Sequence, residues 1–377
     1  MLVWQKEGSR PVCRVAIAGD FLPASGLQLP PNCTWHDVAS GFRRYFAKVD
    51  VGILNLECCV DAGDAEERPK MGLGDSFSAE AEVLDFPVTL GAKIVGLANN
   101  HIYDFGEEGA RRTQQALLGR DLVPLGISRS LSEPPQIYLY EAPSGQRIGV
   151  WAAARHLTDL ATRKKPGIEP ATRRRAQEAI TELRNQKADL TIAFLHAGLE
   201  RTNRPDPDDV TLMDDLAKMS FDVVTACHSH RISGYKSIAH ADGSLSFCFY
   251  GLGSISSGVI YSALEREGLV VIVGLNDAGE LVRVAAHPVH LEDSGWGRIP
   301  LLGDANAALT RFAQISEEIS SGIYKKHFYS DLKGDFFRKC YRDIQAAVQN
   351  GGMRGLATKL GRIRMRHLNR VLQGGIT

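Results

Sequence analysis

The chain has 377 residues, 44% of them hydrophobic and 23% charged, with 37 Gly and 16 Pro. Such a composition is that of a soluble globular protein rich in turns and excludes disorder, while the length predicts a large core domain with an appended segment. A formal net charge of zero removes any global electrostatic reason to expect nucleic-acid binding, a nuclease activity or broad adhesion to an anionic membrane.

From the N-terminus, residues 12–18 predict a strand that runs into a turn at Gly19 and Asp20, and residues 51–56 a second strand ending at Glu57. Residues 93–98 predict a third, delivering Asn99, Asn100 and His101 to a loop before a helix over residues 106–119. Residues 136–142 and 147–153 flank a Pro-Ser-Gly turn and predict a hairpin. The strand-then-polar layout then returns: residues 190–195 lead to His196, and residues 221–226 lead to Cys227, His228, Ser229 and His230. Residues 235–240, 245–250, 269–275 and 281–289 predict strands separated by Gly or Asp-Gly turns, a more antiparallel second half. Residues 306–321, 331–349 and 353–372 carry helical periodicity and no strand, so a boundary is expected near residue 300, dividing the chain into 1–300 and a helical segment 301–377.

In each case the polar cluster sits at a strand's C-terminal end, where open α/β sheets gather their ligands, so one shared site is expected. The residue types suit metal. A two-metal hydrolytic site needs a carboxylate bridging two cations, with imidazoles, a second carboxylate and an amide oxygen completing the coordination. Glu57 is the candidate bridge; Asp20 and His230 would serve one ion, and Asn100, His196 and His228 the other. Side chains two apart in an extended segment point the same way, which would let His228 and His230 face one site. Imidazole donors favour Mn, Fe or Zn over Mg alone. His101 is a candidate proton donor to a leaving group, oriented by Asp104.

Other features read blandly. The N-terminus has no basic start followed by an apolar stretch and a cleavage site, and the longest apolar runs are strand-sized, so neither a secretory signal nor a membrane span is expected. Seven cysteines without a CxxC pair fit a reduced compartment, and the expected location is cytoplasmic. Cys58 and Cys59 read as small buried strand residues. Arg231 reads as an anion-binding group or, equally, a structural one. His36, His156, His240, His287, His290, His327 and His367 lie outside the motifs and read as exposed or locally satisfied. Residues 353–372 place six basic residues among leucines, fitting a basic amphipathic helix that packs its apolar side on the core, with peripheral contact to anionic lipid or an acidic polymer as the alternative.

Taken together, GD at Asp20, NLE at Glu57, ANNHIYDFGEEG from Ala98 to Gly109, HAGLE from His196, HSH from His228 and YGLGS from Tyr250 resemble the bacterial capsule-synthesis family called CapA or PGA-cap. That family is a branch of the calcineurin-like metallophosphoesterases, and the resemblance spans roughly residues 15–289. It implies a four-layer α/β/β/α metallophosphoesterase-like sandwich with a C-terminal helical extension, and a divalent metal site of one or two transition-metal ions. The implied function is a hydrolase-like enzyme processing a phosphoester or polymer-linked bond in capsule or exopolymer biosynthesis of the poly-γ-glutamate type. Its substrate would be a small molecule or polymer, and its partners other capsule-biosynthesis proteins. The competing function is a non-catalytic polymer- or partner-binding accessory protein of a capsule synthesis or export complex. The chain departs from the wider superfamily where a His usually follows the first Asp by two residues, having Phe21 and Leu22 instead. Ser254 stands where the family often has Asn.

Overall fold

A computed structural model describes residues 1–23, 27, 29, 31–62, 76–155, 157 and 159–332. The predicted helices beyond residue 332, the basic amphipathic one included, lie outside the described residues, as do His156 and His367.

Two sheets carry the fold. The first runs Leu2–Gln5, Leu281–Leu291, Glu267–Leu275, Cys13–Leu22, Val51–Leu56, Ala92–Gly96, Val123–Leu125. The second runs Tyr235–Ala239, Leu245–Phe249, Val223–Cys227, Leu190–His196, Arg147–Ala154, Ile137–Glu141. Within the first, the four strands from Cys13–Leu22 to Val123–Leu125 are mutually parallel. Arg147–Ala154, Leu190–His196, Val223–Cys227 and Leu245–Phe249 form the matching parallel block of the second.

The inner strands of both sheets are buried on both faces, and residue parity sorts their side chains. Val15, Ile17, Val51, Ile53 and Ile94 of the first sheet meet Ile148, Val150, Ile192, Phe194 and Val223 of the second in one cluster between the sheets. Ala16, Ala18, Leu54, Leu56 and Val95 face the other way, against Val38, Phe86, Ala110 and Leu117 of the helices Trp35–Ser40, Asp85–Thr89 and Gly106–Leu118. Trp151, Ala193, Leu195 and Val224 face outward from the second sheet onto helices Arg173–Asn185 and Pro207–Lys218. The result is α/β/β/α, as the resemblance implied. In Arg173–Asn185 the buried Ala176, Ala179, Ile180 and Leu183 fall at helical spacing, and Thr172 caps its N-terminus by accepting from the Arg175 amide.

The strands after His230 divide between the sheets rather than extending one of them. Glu267–Leu275 and Leu281–Leu291 are antiparallel as expected, but Leu245–Phe249 runs parallel to Val223–Cys227. The segment between them turns back as Tyr235–Ala239, antiparallel to Leu245–Phe249, and takes the sheet edge. Helix Leu302–Ser321 inserts Ala308 and Phe312 into the cluster between the sheets, where Phe312 stacks on Tyr235 at 5.4 Å, and places Ile315 and Ile319 in the outer cluster of the second sheet. No described helix is long and apolar enough to cross a membrane.

Candidate metal centre

The inward parity that builds the core also aims the polar residues. On Val51–Leu56 the inward set 51, 53 continues to Asn55, and on Leu190–His196 the set 192, 194 continues to His196, the last residue of its strand. Asp20 occupies the C-terminal part of Cys13–Leu22, paired with Asn55 in register. Glu57 directly follows its strand, and His228 and His230 follow Val223–Cys227. Both sheets therefore end on the same spot, with Asp20, Glu57 and His196 fully or almost fully buried.

The donors fall into two groups that share Glu57. Glu57, His196 and His228 offer ligand atoms within 4.8 Å of one another, and so do Asp20, Glu57 and His230. His196 Nε2 lies 3.4 Å from Glu57 Oε1 and 2.7 Å from Asn100 Oδ1. His228 Nδ1 is 4.0 Å from Glu57 Oε1. His230 Nδ1 is 3.4 Å from Asp20 Oδ2 and 3.7 Å from Glu57 Oε2. All six expected metal residues are thus brought together, with Asn100 joined to the cluster through His196.

How the two histidines converge differs from the expectation of an extended segment. The strand stops at Cys227, and both His228 (φ 93°) and His230 (φ 54°) adopt left-handed backbone, a conformation that non-glycine residues hold only where surrounding contacts enforce it. Here the His228 amide donates to Asp20 Oδ2 at 2.9 Å, pinning the turn to the opposite sheet. Strand alternation is not what aligns the rings.

The two carboxylates differ in what they already hold. Asp20 accepts from Asn55 Nδ2 at 2.8 Å through Oδ1 and from the His228 amide through Oδ2. Both oxygens of Glu57 are buried and accept no well-formed hydrogen bond from the described residues, and buried His228 Nδ1 is in the same position. A buried carboxylate left this way is costly unless a cation satisfies it. The facing imidazoles and carboxylates shift one another's proton affinities. Burial by itself would raise the Glu57 pKa, but charge on His230 and His196 holds its carboxyl well below the usual range. Burial works against a charged His230, yet Glu57 and Asp20 push its pKa up to about 10, and His228 is raised against its own burial by Glu57 and Glu200. His196 is lowered, by burial and by the neighbouring His228. Two buried carboxylates, three imidazoles and an amide oxygen facing one another fit a divalent metal.

Beside this cluster, His101 Nδ1 lies 2.8 Å from Asp104 Oδ2, both side chains buried, and the imidazole packs on the Phe77 ring at 4.4 Å. Asp104 also accepts from the Phe77 amide at 2.9 Å. His101 and Asp104 thus form a fixed pair at the start of the loop that carries Asn100.

A model of the family described as bacterial capsule synthesis protein PGA_cap matches residues 14–258, which contain every one of these residues. The chain belongs to this family. Among curated proteins, the capsule biosynthesis protein CapA of Bacillus anthracis is 25% identical over 287 residues, covering 74% of this chain and 66% of the relative. A probable polyglutamine synthesis accessory protein of Mycobacterium tuberculosis is 26% identical over 193 residues, covering 48% of this chain and 50% of the relative. The chain thus spans about half to two thirds of the length of these two proteins. Solved structures similar to it include a 5'-nucleotidase precursor from Thermus thermophilus (TM-score 0.45, 16% identity, covering 80% of this chain and 58% of that one). Another is the NAD nucleotidase of Haemophilus influenzae (TM-score 0.45, 12% identity, covering 80% and 62%).

Within this PGA_cap chain, several residues given no role from sequence are part of the site's framework. Asn99 donates to Asn55 Oδ1 at 3.2 Å and to the Leu56 carbonyl at 2.7 Å, while its own Oδ1 accepts from the amides of His101 and Ile102. Ser254 Oγ lies 3.3 Å from His230 Nδ1. The signal for Asn55 and Asn99 was available: an amide inside or at the end of an otherwise apolar buried strand requires a polar partner there. Arg231 resolves to the structural side, its Nη2 donating to Glu265 at 3.2 Å and to Ser262 at 3.1 Å. Cys58 and Cys59 are fully buried, with thiol pKa values raised chiefly by that burial, which leaves them poor nucleophiles. Away from the site, His36 is hydrogen-bonded to Thr89, His240 to Ser246 and His327 to Glu318.

Proposed function

We propose that this chain is a metal-dependent hydrolase that processes a phosphoester or polymer-linked bond in capsule or exopolymer biosynthesis of the poly-γ-glutamate type. The observation that carries the reading is Glu57, a buried carboxylate whose two oxygens accept no well-formed hydrogen bond among the described residues and face imidazoles of two donor sets. Membership of the PGA_cap family and similarity to a capsule biosynthesis protein support the pathway half. In this reading Glu57 would serve both ions, Asp20 and His230 one of them, and Asn100, His196 and His228 the other. Three imidazoles favour Mn, Fe or Zn. Bound ions would supply Lewis acidity, polarising a phosphoryl or carbonyl oxygen of the substrate. The chain's own contribution is position and proton traffic. Asp104, hydrogen-bonded to His101 Nδ1, orients the imidazole for proton transfer to a leaving group. The substrate is a small molecule or a polymer segment, the partners are proteins of the same pathway, and a cytoplasmic location belongs to the same proposal.

Elemental mass spectrometry of the purified protein, beside a His228→Ala, His230→Ala double variant shown to be folded by circular dichroism, tests this directly. About two transition-metal ions per chain, lost in the variant, are expected from the bridged donor set. Absence of metal even after reconstitution would sink the hydrolase and leave the accessory-protein function in its place.

A further inference from the structure

Two loops flank the histidine turn, and each is latched to it. From one side, the Arg201 amide donates to the Ser229 carbonyl at 2.8 Å, between His228 and His230. From the other, the Tyr261 amide donates to Glu265 Oε2 at 2.7 Å, and Glu265, itself buried, is the carboxylate that grips Arg231, the residue after His230. Where the loops meet, the Arg201 guanidinium lies 3.7 Å over the Tyr261 ring. Both side chains are exposed, Tyr261 by 59%.

Three observations set Arg201 apart. Nearby guanidinium groups are committed to carboxylates: Arg231 to Glu265, Arg204 to Glu318 at 3.0 Å, and Arg155 to Asp209 at 2.6 Å. The Arg201 guanidinium has no hydrogen bond or ion pair among the described residues; its partner is a ring face, which fixes its plane and leaves its N–H edges unused. Arg201 also holds a left-handed backbone (φ 65°), the conformation of His228 and His230. That is a strained state for a long side chain, of the kind retained at binding sites.

We propose that Arg201, seated on Tyr261, binds an anionic oxygen group of the substrate, a carboxylate or a phosphate, at the mouth of the metal centre and thereby selects for anionic substrate segments. The guanidinium fork pairs with two oxygens of such a group at once, which a Lys at the same place does not reproduce. The inference rests on the reading that substrate is processed at this centre, but its test does not require turnover.

The experiment is calorimetric binding to the full chain of three probes: inorganic phosphate, a short γ-linked glutamate oligomer, and the same oligomer with its carboxylates amidated. Wild type is compared with Arg201→Gln, Arg201→Lys and Tyr261→Leu, each checked for unchanged melting. Loss of a charge-assisted pair predicts about tenfold weaker binding of a charged probe to Arg201→Gln, with the amidated oligomer unaffected. Arg201→Lys should recover only part, and Tyr261→Leu should weaken binding in the same direction. Loss confined to phosphate or to the oligomer identifies the group bound. Charged probes that bind Arg201→Gln as tightly as wild type, or that fail to bind wild type, overturn the proposal. Failure of the hydrolase reading would appear instead as missing metal with this binding intact.

Discussion

Asn55 donates its side-chain amide to Asp20 Oδ1 at 2.8 Å, joining two adjacent strands of the first sheet at the point where each delivers a carboxylate to the centre. The same Nδ2 lies 3.4 Å from His196 Nδ1 of the second sheet, and Asn55 Oδ1 accepts from Asn99. One amide therefore ties together two candidate ligands, Asp20 and His196, and the framework residue Asn99, from both sheets.

Groups that orient ligands from behind typically govern metal affinity by one to two orders of magnitude. Asn55→Leu should weaken metal binding about 10- to 100-fold and lower stability by about 1–3 kcal/mol for the partners left unpaired. A competitive chelator titration together with urea denaturation reads both. Unchanged metal affinity would mean that Asn55 serves only the fold.

Metal affinity should also climb with pH. His230 has a pKa raised above the ordinary imidazole value to about 10, and that of His228 is raised as well. In the metal-free protein the stabilisation from His230 is complete below about pH 6.5 and fades as pH rises through about 10. A metal must displace these protons, so affinity should increase about tenfold per pH unit for each proton lost across this window. Calorimetric titrations in buffers of different ionisation enthalpy measure the protons released. Release of none would show that the histidines are not ligands.

The His101–Asp104 pair separates chemistry from metal binding. His101→Ala should reduce kcat about 10²- to 10⁴-fold on a substrate with a poor leaving group while metal content stays at the wild-type level. Asp104→Asn should produce a smaller loss, because it leaves the imidazole in place and removes its partner. Relief of the defect with an activated leaving group would confirm the proton-donor role; an equal loss on both substrates would argue against it.

The approach of the two sheets depends on one missing side chain. A Cβ on Gly96 would fall 2.7 Å from the Phe194 ring and 3.6 Å from Asn55 Oδ1, so Gly96→Ala should cost about 1–3 kcal/mol by overpacking. A thermal melt checks the stability. Loss of metal in the same variant would show that sheet separation is transmitted to the centre; a melt unchanged from wild type would mean that Phe194 moves aside without penalty.

Much of this arrangement is legible in the linear chain. The strand over residues 51–56 matches the sequence expectation at both ends. The apolar runs before Glu57, Asn99, His196 and His228 all form strands, because a short apolar run closed by a polar residue has few other ways to be buried. The order GD, NLE, ANNH, HAG and HSH also carried the family. What the linear pattern withheld is which strands share a sheet. A strand buried on both faces shows no polar alternation, so hydrophobicity alone does not say which face meets a helix and which meets another sheet. That choice places Asn55, His196 and Cys227 on the inward face, and it sends Leu245–Phe249 into the second sheet in parallel.

By itself, then, the sequence determined the chemistry on offer: two carboxylates, three imidazoles and an amide at strand ends, in a chain able to bury them. Tertiary structure alone decided that these donors converge on Glu57, that left-handed backbone and not strand pleat turns His228 and His230 inward, and that Arg201 comes to rest on Tyr261. The physical reason is that donor type is a property of single residues. Convergence depends on long-range contacts such as Asp20 with the His228 amide, 208 residues apart, which no local propensity records.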